Sequence, residues 1–117
     1  MGLSVLIVDD HAAFRLSARA LLESEGFRVV GEAADAASGL DAAARLRPEV
    51  VLLDVQLPDG DGFDVAERLA QGPDPPRVVL VSSRAASSYR RRLAKTRARG
   101  FIPKDELSGA ELSALVT

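Results

Sequence analysis

Short, unbroken apolar runs alternate along this chain with longer stretches in which apolar residues recur at helical spacing. The clearest runs are Val5-Leu6-Ile7-Val8, Val50-Val51-Leu52-Leu53 and Val78-Val79-Leu80-Val81, with less regular ones at Phe27 to Gly31 and Gly100 to Ile102. Strands covered by helices on both faces read as continuous apolar runs rather than as alternating ones. After the first run, Phe14, Ala18, Leu21 and Leu22 fall at i, i+4, i+7 and i+8, the stripe of an amphipathic helix. That helix is expected to stop at Gly26, where left-handed backbone is tolerated. A second helix carries Ala36, Ala37, Leu40, Ala43, Ala44 and Leu46 and ends before Pro48. Turn chemistry over Leu57-Pro58-Asp59-Gly60-Asp61-Gly62 makes Asp61 the expected N-cap of a third, with Val65, Ala66, Leu69 and Ala70 on its apolar side. A fourth helix is predicted over residues 86–98 on a thin stripe of Ala86, Tyr89, Leu93 and Ala94, and a last one from Leu107 to Val116.

Five strands alternating with five helices predict an α/β fold. Right-handed crossovers then give an open, doubly wound, five-stranded parallel sheet. No repeat or linker interrupts the pattern, so residues 1–117 are expected to form one domain.

All strands of such a sheet end on the same edge, which is where ligands bind. The first run delivers Asp9 and Asp10 there, the third strand Asp54, the fourth Ser82, and the fifth leads to Lys104. Three carboxylates in one cleft repel each other unless a cation sits among them. A hydroxyl and an ammonium beside them suit an anionic group attached to one carboxylate. The pattern points to a phosphoryl-accepting aspartate that needs a divalent metal.

Composition narrows the alternatives. Cysteine is absent, which excludes thiol catalysis, disulfides and cysteine metal sites. No run approaches the ~18 apolar residues of a membrane helix, and the N-terminus has neither a basic n-region nor a cleavage pattern. A soluble, cytoplasmic protein with no membrane partner is expected. The net charge of −2 hides an asymmetry: residues 75–104 carry nine basic side chains and no acid, leaving six basic and seventeen acidic residues elsewhere. Such polarity bears on partners rather than on fold.

Taken together, Asp9-Asp10, the strand-ending Asp54 followed by Leu57-Pro58 and Asp61-Gly62, Ser82, and Gly100-Phe101-Ile102-Pro103-Lys104 resemble the receiver domain of bacterial two-component response regulators. The resemblance covers the whole chain and implies the flavodoxin-like, CheY-like strand order 2-1-3-4-5. It implies that Asp54 is the phosphoacceptor for a sensor histidine kinase or phosphotransfer protein. It also implies that Mg²⁺ is the cofactor, held directly by Asp10 and Asp54, by Asp9 mainly through water, and by the backbone carbonyl of Gln56. Lys104 would pair with the phosphoryl oxygens and Ser82 would hydrogen-bond them. Phe101 resembles the aromatic switch position that turns inward when Ser82 moves, although it lacks the hydroxyl of the tyrosine usual there. His11 is expected to begin the first helix rather than to bind metal.

The chain departs from the pattern at several places, two of them beside site residues. Gln56 replaces a more usual apolar residue or asparagine, and Asp105 stands where proline commonly follows the lysine. With Gly-Phe before it, that variant looks like receivers joined to helix-turn-helix DNA-binding domains. Transcription regulation is therefore an implied output, with DNA reached only through an effector lying outside these residues. A stand-alone receiver is slightly favoured over the N-terminal piece of a regulator.

The basic fourth helix reads first as a solvated face. Its sharper reading is a docking surface for an acidic partner or a second subunit, since family members often signal through helix 4, strand 5 and helix 5. Three other classes share parts of this pattern. A pseudo-receiver would normally lose an acid or the lysine. A haloacid-dehalogenase-type phosphatase needs an aspartate at position 56. A nucleotide-binding flavodoxin-like protein needs a Gly-rich loop after the first strand. The family reading makes the chain a signalling switch rather than an enzyme, with Mg²⁺-dependent self-phosphorylation and a possible slow loss of the phosphoryl group.

Overall fold

The computed structural model describes residues 2–117. Its main elements are β1 (Ser4–Val8), α1 (Ala12–Ser24), β2 (Arg28–Ala33), α2 (Ala36–Leu46), β3 (Val50–Asp54), α3 (Gly62–Ala70), β4 (Arg77–Ser82), α4 (Arg90–Lys95), β5 (Gly100–Pro103) and α5 (Gly109–Val116). The five strands pair in parallel in the order β2-β1-β3-β4-β5. That is the flavodoxin-like order, and it leaves every strand's C-terminal end on one edge.

The sheet has two packed faces because successive side chains on a strand point to opposite sides. Val5, Ile7, Val50, Leu52, Val79 and Val81 pack with Ala18 and Leu22 of α1 and with Leu112 and Val116 of α5. Leu6, Val8, Val51, Leu53, Val78 and Leu80 meet α2, α3 and Tyr89 on the other face. The central strands β1 and β3 are closed to solvent on both sides, which accounts for their unbroken apolar runs. Each such Val or Leu gains about 1.5–3 kcal/mol by leaving water. That density of burial fixes the strand ends, and with them the residues they carry.

Three helices, α2, α3 and α5, start at side-chain caps. Asp35 accepts from Ser38 N at 2.8 Å, Asp61 from Phe63 N at 2.7 Å, and Ser108 from Glu111 N at 3.0 Å. Asp59 adds a long-range cap, since its two carboxylate oxygens accept from Ala36 N at 2.6 Å and Ala37 N at 3.0 Å. The loop after β3 is thereby tied to the N-terminus of α2. Gly26 takes φ +97° beyond the end of α1, as its position predicts.

Three segments differ from expectation. The helix predicted over residues 86–98 is a 3-10 turn at Ala86–Tyr89 followed by only six α-helical residues. Arg90, Arg91, Arg92 and Lys95 crowd like charge onto it, and no residue of α4 is buried. Thr96 is extended, and its hydroxyl accepts from Ala98 N at 3.1 Å, which competes with another helical turn. The last helix begins at Gly109 rather than Leu107, because Ser108 caps it and Lys104–Glu106 forms a separate 3-10 turn. Gln56–Leu57 and Gly60–Asp61 also pair as a two-residue antiparallel ribbon that the turn signals did not predict.

Gly62 is the tightest link between the sheet and the loop after Asp54. Its N–H donates to Val55 O at 2.7 Å, and a Cβ there would meet the backbone, lying 2.8 Å from Val55 Cα and closer still to Asp54 O. Gly62→Ala is expected to destabilise by about 2–3 kcal/mol, the cost of forced overpacking. Gly72→Ala, whose nearest neighbour would be 3.8 Å away, should change stability little. Urea unfolding of the two variants beside the wild type checks the difference.

Candidate functional site

Asp9 leaves β1 with its backbone still paired, N–H to Ala33 O at 2.9 Å, and its side chain is fully buried. One carboxylate oxygen accepts from His11 N at 2.8 Å. The other lies 2.7 Å from Lys104 Nζ, but off the direction of a hydrogen bond, so it keeps charge compensation without a directed donor. Arg15 donates to the Asp9 carbonyl at 2.6 Å and to Glu32 at 3.1 Å, holding the loop against β2.

Asp54 closes β3 and is only 5% exposed in its side chain. Gln56 N donates to Oδ1 at 3.3 Å, and Lys104 Nζ lies 3.5 Å from Oδ2. Burial is the largest influence on Asp54 and pushes its carboxyl above the usual aspartate range; the Asp9 charge pushes the same way. Lys104 and the Gln56 N–H pull it back. Lys104 itself lies over the Phe14 ring at 4.6 Å, so α1 helps to hold its ammonium above the acids.

Asp10 is more exposed and faces a cleft of about 290 Å³ lined also by His11, Asp54, Gln56, Leu57, Pro58, Ser82, Ser83 and Lys104. Asp9 is fully buried and does not line the cleft itself. Asp9, Asp10, His11 and Asp54 each offer a ligand atom within 4.8 Å of the others. Three carboxylates against one ammonium leave two negative charges, the charge of one divalent cation. The undirected buried oxygen of Asp9 and the oxygen-rich donor set both fit a hard divalent ion such as Mg²⁺.

The site residues expected from the sequence thus gather at one edge, with two qualifications. Ser82 lines the cleft, but its hydroxyl bonds Tyr89 OH at 2.9 Å and accepts from Arg84 N at 3.1 Å. Phe101 is half-buried one layer away and stacks at a tilt on Tyr89, with ring centroids 5.7 Å apart. Two residues make contacts at the site that the sequence did not predict. His11 does start α1, as its N-cap residue, yet its Nδ1 lies 3.1 Å from Asp9 Oδ1, 3.1 Å from Asp10 Oδ1 and 3.3 Å from Lys104 Nζ. Its place directly after two acids was the available signal. Tyr89 falls on an apolar helix stripe in the sequence, and nothing local shows that its hydroxyl reaches Ser82.

A larger groove of about 670 Å³ runs between α2, α3 and the start of β4, lined by Arg47, Arg68, Arg77 and Arg99 among others. It lies away from the edge that gathers the acids and contains none of the residues above. Among the described residues no helix is long and apolar enough to cross a membrane.

Comparison with known proteins agrees with this arrangement. The family described as response regulator receiver domain matches residues 5–117. BvgA of Bordetella pertussis, described as a putative positive transcription regulator of virulence factors, is 39% identical over 102 residues, which is 87% of this chain and 49% of that protein. A putative transcriptional regulator of Pseudomonas aeruginosa is 37% identical over the same shares. The chain spans about half the length of these curated relatives. Among solved structures, the signal receiver domain of the putative response regulator NarL from Mycobacterium tuberculosis superposes with a TM-score of 0.85 at 34% identity, covering 97% of this chain and 96% of that one. A match over nearly every residue, on a shared backbone, places the chain in the response regulator receiver domain family of two-component signalling.

Proposed function

We propose that this chain is a phosphorylation switch whose acceptor is Asp54. The supporting observation is the convergence of Asp9, Asp10 and Asp54 around one cleft, with Lys104 as their only close ammonium among the described residues. An ionised Asp54 oxygen attacks the phosphorus of a phosphohistidine on a sensor kinase or phosphotransfer protein. The phosphorus–nitrogen bond breaks, and the imidazole nitrogen keeps the electron pair. Phosphoryl transfer needs positioning and charge neutralisation more than covalent assistance.

Asp10 and Asp54 would hold Mg²⁺ directly, with Asp9 acting through water and Gln56 offering its carbonyl. When bound, the ion supplies neutralising charge and orients the phosphoryl oxygens. Lys104, 3.5 Å from Asp54 Oδ2, would transfer its charge pairing to those oxygens. Ser82 would donate to them after leaving Tyr89. Two packings in equilibrium, biased by the phosphoryl group, then carry the signal to the α4, β5 and α5 face. Through that face the domain would act on a partner, a second copy or an attached effector. Transcription control follows the description of BvgA and the other regulators it resembles.

Incubation with Mg²⁺ and acetyl phosphate should add one phosphoryl group to the wild type by intact mass. Asp54→Asn, or chelation of the metal, should abolish the adduct. An unmodified wild type, or an Asp54→Asn protein that is still modified, defeats the assignment.

The raised carboxyl of Asp54 gives a second expectation. A group whose folded pKa is raised favours the fold when protonated, and that contribution is lost as pH rises through the folded value. In metal-free buffer at neutral pH, Asp54→Asn should therefore raise the thermal midpoint. The gain should shrink as pH falls through the raised Asp54 range toward that of an ordinary carboxylate. A lower midpoint for Asp54→Asn at neutral pH would reverse the sign of the effect.

A further inference from the structure

Ser82 is 3% exposed, and among the described residues its hydroxyl has hydrogen-bond partners only on the stretch leading into α4. It accepts from Arg84 N at 3.1 Å and shares a 2.9 Å bond with Tyr89 OH. Tyr89 is itself buried at the junction of the 3-10 turn and α4. Its ring sits between Phe63 of α3 and Phe101 of β5, with centroids 5.8 Å and 5.7 Å away. Beside this row, Arg92 lies 4.3 Å over the Phe63 ring and pairs with Asp61 at 2.5 Å. Tyr89 is the sole residue of the turn and α4 that is buried, so it is the main anchor of this basic segment.

We infer that Tyr89 is a positioning residue for the phosphoacceptor site: its hydroxyl latches Ser82 away from Asp54, and phosphorylation releases α4 by taking Ser82 from it. The inference rests on the phosphoacceptor reading of Asp54. Serine oxygens occupy three staggered wells about χ1. The present well satisfies Tyr89 and Arg84, and Ser82 also lines the cleft above Asp54. Rotation toward a phosphoryl group there removes the partner of a buried phenol, and an unpaired buried hydroxyl is costly. The phenol must then move or find water, and its ring cannot shift without moving the start of α4. The hydrogen bond thus favours the resting state by the worth of one neutral pair, about fivefold in the equilibrium constant.

The chain has one tyrosine and no tryptophan, so absorption and emission in the tyrosine band, at longer wavelength than phenylalanine and the peptide bond, report Tyr89 alone. In the unphosphorylated state, Ser82→Ala should change that signal relative to wild type. Loading the wild type with Mg²⁺ and acetyl phosphate should shift it in the same direction. Tyr89→Phe keeps the ring and should be phosphorylated about fivefold faster than wild type by the same donor, in line with one lost hydrogen bond. In a Ser82→Ala background, Tyr89→Phe should have no further effect, since the bond is already gone. A merely structural tyrosine would give the same change in both backgrounds, which overturns the latch. So does a wild type fully loaded by mass whose tyrosine signal stays at its resting value. Failure of the wild type to form any adduct instead sinks the phosphoacceptor reading itself, and the two failures are told apart by mass alone.

Discussion

Lys104 holds together a set of charges that would otherwise disrupt the cleft. Its ammonium lies 2.7 Å from one buried carboxylate and 3.5 Å from another. At these separations each attraction is about 5 kcal/mol for an effective dielectric constant near 20. Burying an ion costs several kcal/mol, so one ammonium roughly offsets the burial of two carboxylates and does no more. Asp10 adds a third negative charge beside them. The deficit shows in the raised Asp54 carboxyl, for which burial and the Asp9 charge outweigh Lys104. A site left short of positive charge in this way is suited to a divalent cation.

The sheet makes that imbalance sustainable. β1 and β3 are buried along their whole length, so Asp9 and Asp54 cannot relax outward without pulling core residues with them. The loop after Asp54 is fixed twice, by the Gly62 N–H to Val55 O and by Asp59 capping α2. By contrast, α4 is short, basic and without a buried residue of its own. Low burial marks the elements that open most readily. The rigid side of the cleft carries the carboxylates, and the side that connects through Ser82 and Tyr89 is the loosely held one. This division suits a switch.

The strands and the charged site were legible from the sequence because both arise from regular patterns. Runs such as Val50-Val51-Leu52-Leu53 can be buried only in a covered sheet, and a parallel sheet brings Asp9, Asp10, Asp54 and Lys104 to one edge. The resemblance to receivers added the strand order, which periodicity cannot supply. Residues 86–98 were misread because their apolar spacing suits a helix while their arginines and Thr96 act against a long one. His11 and Tyr89 escaped for a different reason. Their significance lies in contacts across 93 and 7 residues, His11 with Lys104 and Tyr89 with Ser82, and side-chain direction at such positions is set by tertiary packing.

The state of the Asp54 carboxyl tests this account most directly. Carboxyl-carbon NMR of the protein labelled at aspartate can follow its titration with and without Mg²⁺. The charge deficit requires Asp54 to titrate above the ordinary aspartate range in metal-free buffer and to move down when Mg²⁺ is added. An Asp54 that titrates in the ordinary range and ignores the ion would contradict it.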